Sequence, residues 1–266
     1  SFAGEKLRYN LMKGSTHAYS FIREVTSSNE VMGTGFNFTV GTQVRFTLSV
    51  DEVTADGNMI CVARIDSLAT RVDSPMIKDS TIGAEALQGK RSKVVLTPTG
   101  KTVSVVPIDS VVETGVMAKV RGMGGFAPGE FFRNLFLELP ERLIGVGESW
   151  KYTRSDTLSR EGFRIVTNPE IEYTIVGTAK VSGYDCLKIE IKGTALVHGS
   201  GSQRGIDLEI DGAVKSKGIA FFAPKEGLLV LMEQSSDAER TMTGSGEGMF
   251  TSTSTTSQRS KISLLQ

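Results

Sequence analysis

Apolar and polar side chains take turns one by one along most of this chain, and that alternation limits the folds open to it. Tyr19, Phe21 and Arg23 face away from Ala18, Ser20 and Ile22. Phe36, Phe38 and Val40 repeat the pattern, as do Val44, Phe46 and Leu48. A period of two matches the pleat of a strand and cannot hold one face of a helix. The second half continues it with Trp150 and Tyr152, then Ile171, Tyr173 and Ile175, then Leu187, Ile189 and Ile191, then Ile206, Leu208 and Ile210. Asp56-Gly57-Asn58 and Lys225-Glu226-Gly227 read as hairpin turns between such runs. The pattern therefore predicts antiparallel strands with one apolar face. Threonine-rich residues near the C-terminus extend it, with Met242, Met249, Phe250, Ile262 and Leu264 as anchors of a final hairpin.

The two halves align. LMKGSTHAYSF lies over IGVGESWKYTR, ADGNMICVARI over VSGYDCLKIEI, and LTPTGKTVSV over FAPKEGLLVL. Gly14, Gly57 and Gly100 thereby meet Gly147, Gly183 and Gly227 at a nearly constant offset. Turns recurring in order at one spacing are the mark of an internal duplication. The reading divides the chain into a first β half at 1–108, a connector at 109–140 and a second β half at 141–266.

Inside the connector the period changes. Ser110-Val-Val-Glu113 has the form of a capping box, and Val112, Val116, Met117 and Val120 share one helical face before Gly122. Gly122, Gly124 and Gly125 then supply a hinge. Pro128 and Glu130 suit a first helical turn, and Phe131, Phe132, Leu135, Phe136 and Leu139 follow until Pro140. This predicts a second helix over 128–139. Burying five such side chains at roughly 1.5 to 3 kcal/mol each is worth on the order of 10 kcal/mol, so the segment must lie against a sheet. The expected fold class is mainly β (α+β): two related, curved antiparallel sheets, half-barrel or sandwich-like, with two helices between them.

Chemistry is harder to find. Thirty basic and thirty acidic residues cancel, so no long-range field draws the chain to nucleic acid. No apolar run reaches the 18 or so residues of a membrane-spanning helix. The start at Ser1-Phe2-Ala3-Gly4 reads as a mature exported protein after removal of a signal segment. Cys61 and Cys186 lie in strand-like runs and read as buried thiols. His17 and His198 are the only histidines, and neither belongs to an HExxH or Cys/His cluster, so no metal site is expected. No serine has the G-x-S-x-G setting. A triad assembled from distant residues would leave no such signature. The glycines at 122–125 follow a helical pattern instead of a strand, with no acid some 20 residues on, which excludes a dinucleotide fingerprint. Asp207, Glu209 and Asp211 share one strand face and read as a solvated edge. No cofactor and no catalytic residue is assigned, and the expectation is a protein that is not an enzyme.

Three stretches, LRYNLMKGSTHAYSF, LTPTGK and LFLELPERLIGVGESWKY, resemble a group of bacterial exported proteins and predicted lipoproteins of unknown function. LPERLIGVGESW is the most similar part. At the level of fold the pattern is similar to the half-barrel lipoprotein carriers of the cell envelope, which hold acyl chains between a sheet and helices. The resemblance implies an exported protein of the periplasm or cell surface. It would bind an apolar ligand such as a lipid acyl chain between a curved sheet and the 128–139 helix. Met123, Phe126, Phe131, Phe132 and Phe136 would line that site. The other reading is a structural or assembly module of the cell surface, acting through contacts with envelope proteins and without a pocket. A lipoprotein also carries an acylated N-terminal cysteine, and this sequence has none there.

Overall fold

The structure, a computed structural model, describes residues 4–75, 80–83, 85–111, 126–160, 163–203, 206–246 and 249–265. The first half contributes β1 (Thr16–Val31), β2 (Thr34–Val53), β3 (Met59–Asp73), β4 (Ser80–Gly83), β5 (Arg91–Leu96) and β6 (Thr102–Pro107). After a short helix, α1 (Pro128–Arg133), come β7 (Ser149–Thr153), β8 (Asp156–Arg160), β9 (Phe163–Val181), β10 (Tyr184–Gln203), β11 (Ile206–Ala223), β12 (Leu228–Ser245) and β13 (Phe250–Leu264). All thirteen strands belong to one antiparallel sheet in the order β6-β5-β3-β2-β1-β13-β12-β11-β10-β9-β7. In addition β4 pairs with β3, and β8 with β9.

The expected pair of sheets is thus a single sheet, and β13 is the reason. One edge of this strand runs along β1, from Tyr19↔Leu264 to Val31↔Ser252. The other runs along β12, from Leu231↔Ser263 to Gly244↔Phe250. Its Ser/Thr alternation carries little apolar signal. A ladder is made by backbone groups, however, and threonine suits a pleated surface. The halves also share one core, in which Phe46, Leu48 and Leu96 meet Tyr173, Ile175, Ile189 and Phe222.

The two expected helices are also corrected. Among the described residues there is one helix of six residues, and the first expected helix falls largely on residues outside them. The second stops at Arg133. Asn134 leaves helical geometry at φ −115, ψ 18; its N–H donates to the Phe131 carbonyl and its side-chain Nδ2 to the Glu130 carbonyl at 3.3 Å. From there the chain runs as an irregular strap. Leu135, Phe136, Leu137 and Leu139 are all buried along it. One helical face could not hide Leu137 together with Leu135 and Leu139. A strap covered on both sides can, and Pro140 holds the residue before it away from helical geometry.

The strap crosses from one half to the other. The Leu139 N–H donates to the Thr99 carbonyl at 2.7 Å, and the Trp150 indole Nε1 donates to the Glu138 carbonyl at 2.9 Å. Below it, residues 5–11 run extended with Leu7, Tyr9 and Leu11 buried. They are tied to both halves by Tyr9 N–H to Pro98 O (2.8 Å), Asn10 N–H to Gly227 O (3.3 Å) and the Glu5–Ile144 bridge. Bulges at Arg45/Phe46, Val50/Glu52, Lys188/Ile189 and Phe221/Phe222 break the register where the strands pass this core. Such bulges bend a sheet and sharpen its twist.

The aligned turns share hydrogen bonds as well as residues. Gly14 N–H donates to Val50 O and Val50 N–H to Ser15 O. In the second half Gly147 N–H donates to Ile175 O and Ile175 N–H to Glu148 O. Gly14 and Gly147 have φ of 82° and 90°, and Gly100 and Gly227 have 89° and 67°. That left-handed region is open to glycine at little cost.

Candidate functional site

Consecutive residues on a helix point about 100° apart, and α1 uses this to send its two phenylalanines to different places. Phe132 is 1% exposed and meets Phe46 edge-on at 5.4 Å. Phe131 is only partly buried. It packs edge-on to Phe21 (4.8 Å) and Phe46 (5.4 Å) and lies tilted against Phe126 (4.9 Å).

Between α1 and the sheet lies a cavity of about 320 Å³. Its floor comes from the pleat, which brings residues of neighbouring strands into rows. Phe21, Ile262 and Met232 form one row across β1, β13 and β12. Arg23, Ser260 and Gln234 form the next, with Gln258 beyond. Phe126, Ala127, Phe131, Leu135, Glu130 and Asn134 close it from above. The cavity is therefore apolar at its inner end and polar one row further out. A second cavity, also about 320 Å³, lies on the other side of Phe126 and Ala127, bounded by Ile65, Leu87, Val111 and Pro128. Arg91 and Asp109 stand at its rim, joined by Nη2–Oδ1 at 2.9 Å and Nε–Oδ2 at 3.0 Å. The side-chain hydrogen bond from Arg91 holds the Asp109 carboxyl at about 2.

Charge is sparse in the first cavity. Arg23 is half-buried on the apolar face of β1, where burial pulls its pKa down and the Glu130 charge opposes the shift. Glu130 is exposed, in the first turn of α1. Burial raises the phenols of Tyr9, Tyr19 and Tyr173, and it raises the thiols of Cys61 to about 12 and Cys186 to about 11. Both thiols are free and buried, Cys61 in the main core and Cys186 in a small separate cluster with Ala223 and Val230. A thiol held so far above neutrality is a poor nucleophile.

Of the five residues expected to line a ligand site, Phe126 and Phe131 border the cavity, and Phe132 and Phe136 are packed in the core. Met123 and the hinge glycines Gly122, Gly124 and Gly125 lie outside the described residues. The sheet side of the cavity, Phe21, Arg23, Met232 and Ile262, was not assigned from sequence. Its signal was present in Arg23, a charged residue in register with Tyr19 and Phe21 on an apolar strand face.

The only described grouping with metal-ligating side chains close together is His198, Glu209 and Asp211, whose ligand atoms lie within 4.8 Å of one another. All three are exposed on paired strands. His198 Nδ1 donates to Asp211 Oδ1 at 2.8 Å, and this bond raises the imidazole pKa. A cross-strand polar pair explains the geometry.

No family model matches the chain, and no curated protein matches it. Among solved structures, an outer membrane channel from Pseudomonas putida F1 aligns at 11% identity over 97% of this chain and 98% of its own, with a TM-score of 0.26. Pseudomonas aeruginosa OccK5 (OpdH) aligns at 5% over 94% and 98%, with a TM-score of 0.27. Pseudomonas aeruginosa OpdQ aligns at 8% over 92% and 98%, with a TM-score of 0.29. Overlap at that level establishes no shared fold. On β11 and β13 the outward residues are charged or hydroxylic, unlike the apolar outward band of a lipid-embedded barrel. The face turned away from the core carries Asp207, Glu209, Asp211, Lys215 and Lys217 on β11. On β13 it carries Thr251, Thr253, Thr255, Arg259 and Lys261.

Proposed function

We propose that this chain is a non-enzymatic, water-facing protein of the bacterial cell envelope that shelters the hydrocarbon chain of an amphiphile between α1 and the sheet. The observation that carries the reading is the half-open cavity under α1. Phe21, Phe126, Phe131 and Met232, only partly buried beside the filled core, converge there over the core residues Leu135 and Ile262. At about 320 Å³ it falls at the small end of ligand sites, which suits one narrow chain better than a bulky ring system. The charged outer face favours a protein bathed in water over one set in lipid. The envelope location rests on the resemblance of LPERLIGVGESW and its flanks to exported proteins.

The test is native mass spectrometry of protein purified from its own host, followed by calorimetric titration with straight-chain amphiphiles of increasing length. A co-purifying lipid mass is expected. So is an affinity that tightens about fourfold per added methylene until the cavity is full, because each buried CH₂ is worth about 0.8 kcal/mol. A flat response to chain length would refute the reading and leave the assembly-module alternative.

A further inference from the structure

The first cavity has a twin across α1. Each holds about 320 Å³, and Phe126, Ala127 and Glu130 border both. Side chains two apart on a helix point about 200° apart, so α1 parts the two spaces. Gly129 borders only the second cavity and Phe131 only the first, while Glu130, exposed between them, borders both. Ahead of α1 the partition is thin. It consists of the Phe126 ring, tilted on Phe131 at 4.9 Å, and the extended Ala127, whose carbonyl accepts from the Phe131 N–H at 2.9 Å. The second cavity is walled mainly by hydrocarbon, from Ile65, Leu87, Pro107, Val111 and Phe126. The ion pair at its rim asks for no charged ligand, because Asp109 already accepts from Arg91 Nη2 at 2.9 Å, Nε at 3.0 Å and the backbone N–H at 2.9 Å. The remaining charges on its border, Lys90 and Glu130, are of opposite sign.

We infer that the two cavities form one site for an amphiphile with two hydrocarbon chains, which straddles α1 with a chain on each side and its head beside Glu130. This rests on the cavity reading and adds a ligand class to it. Equal volumes suit two chains of similar length, as in a diacyl lipid. Each space is at the small end of ligand sites, so neither holds both chains. Once the first chain is seated, the second is confined beside the other opening, and its entry is close to intramolecular.

The experiment is calorimetric titration of the full chain with dioctanoyl-phosphatidylcholine and with octanoyl-lysophosphatidylcholine, both below their micelle-forming concentrations, for the wild type and Gly129→Phe. The two lipids share a head group and differ in the number of chains. The wild type is expected to take two molecules of the one-chain lipid but a single molecule of the two-chain lipid, bound about a hundredfold or more tighter. A Cβ at Gly129 meets nothing within 4 Å, and the residue lies in α1 with helical backbone, so a ring there enters the second cavity without strain. Gly129→Phe should take one molecule of the one-chain lipid and bind the two lipids within about threefold of each other. If this variant does not fold, Val111→Trp fills the same cavity from outside the helix, with the same expectation. Uptake of only one one-chain molecule by the wild type, or equal affinity for the two lipids, overturns the inference but leaves the cavity reading intact. So does a filled variant that keeps the wild-type preference. Binding of neither lipid overturns the cavity reading itself, and this inference with it.

Discussion

Phe131 and Phe132 are neighbours of identical chemistry, and truncating each to alanine separates the parts played by core and cavity. Phe132 is 1% exposed, touches Phe46 at 5.4 Å and Phe131 at 5.0 Å, and its carbonyl accepts from Thr102 Oγ1 at 3.2 Å. Removing a ring from such a site loses its transfer free energy and leaves a void the strap cannot close, because Leu135 and Phe136 are pinned behind it. Phe132→Ala should therefore cost about 3 to 5 kcal/mol. Phe131 already borders empty space, so its removal enlarges an existing cavity; Phe131→Ala should cost roughly half as much and abolish chain binding. Equilibrium urea unfolding measures both, read by the fluorescence of Trp150, the single tryptophan. Its indole is bonded to Glu138 of the strap and stacked on Tyr173 at 5.1 Å, so it reports strap docking directly. Equal costs for the two variants, or a Phe132→Ala cost under about 1 kcal/mol, would refute the division in which α1 gives Phe132 to the core and Phe131 to the cavity.

Gly100→Ala should be far more damaging than Gly89→Ala. Both positions have left-handed φ, at 89° and 77°, but a Cβ at residue 100 would sit 2.3 Å from the Leu137 carbonyl oxygen and 2.4 Å from the Tyr9 ring, while at residue 89 nothing lies within 4 Å. The control should lose about 1 kcal/mol from backbone strain alone, and Gly100→Ala at least twice that, as compared by thermal melting. The two histidines should titrate on opposite sides of 6.5 in NMR spectra. His198 should lie above because Asp211 accepts its proton bond, and His17 below because burial disfavours its charged form. By linkage, the His198 contribution is complete below pH 6.5 and fades as pH rises through its raised folded value. His17 instead subtracts stability as pH falls below 6.5. Asp211→Asn should return His198 towards 6.5 and leave His17 unmoved.

The alternation of Tyr19 with Ser20, or of Ile189 with Glu190, announced strands because burial on one face is a local, periodic demand. The turns at Gly57 and Gly227 were legible for a similar reason, since a positive φ selects glycine. The strap was read as a continuation of α1 because Leu135, Phe136 and Leu139 keep the helical spacing begun by Phe131 and Phe132. Leu137, which does not fit, was the residue that betrayed it. The continuity of the sheet was hidden for a different reason. The β1–β13 ladder is fixed by backbone hydrogen bonds between residues more than two hundred positions apart, and its serines and threonines carry almost no pattern. Half of the cavity was visible in the phenylalanines. The other half needed three strands brought into register, which no single stretch encodes.

Placing β13 between β1 and β12 has a consequence for how the molecule is made. A ribosome releases residues 250–264 long after β1, so during synthesis both future neighbours wait with bare, unbonded edges. Contacts of such separation are slow to form. A polypeptide cut short before residue 250 would keep all the apolar residues of the strap yet lack the strand that stitches its two arcs together. Such fragments should clump in the cell instead of accumulating as half-molecules, which makes intact delivery of the whole chain a condition for any of it to be useful.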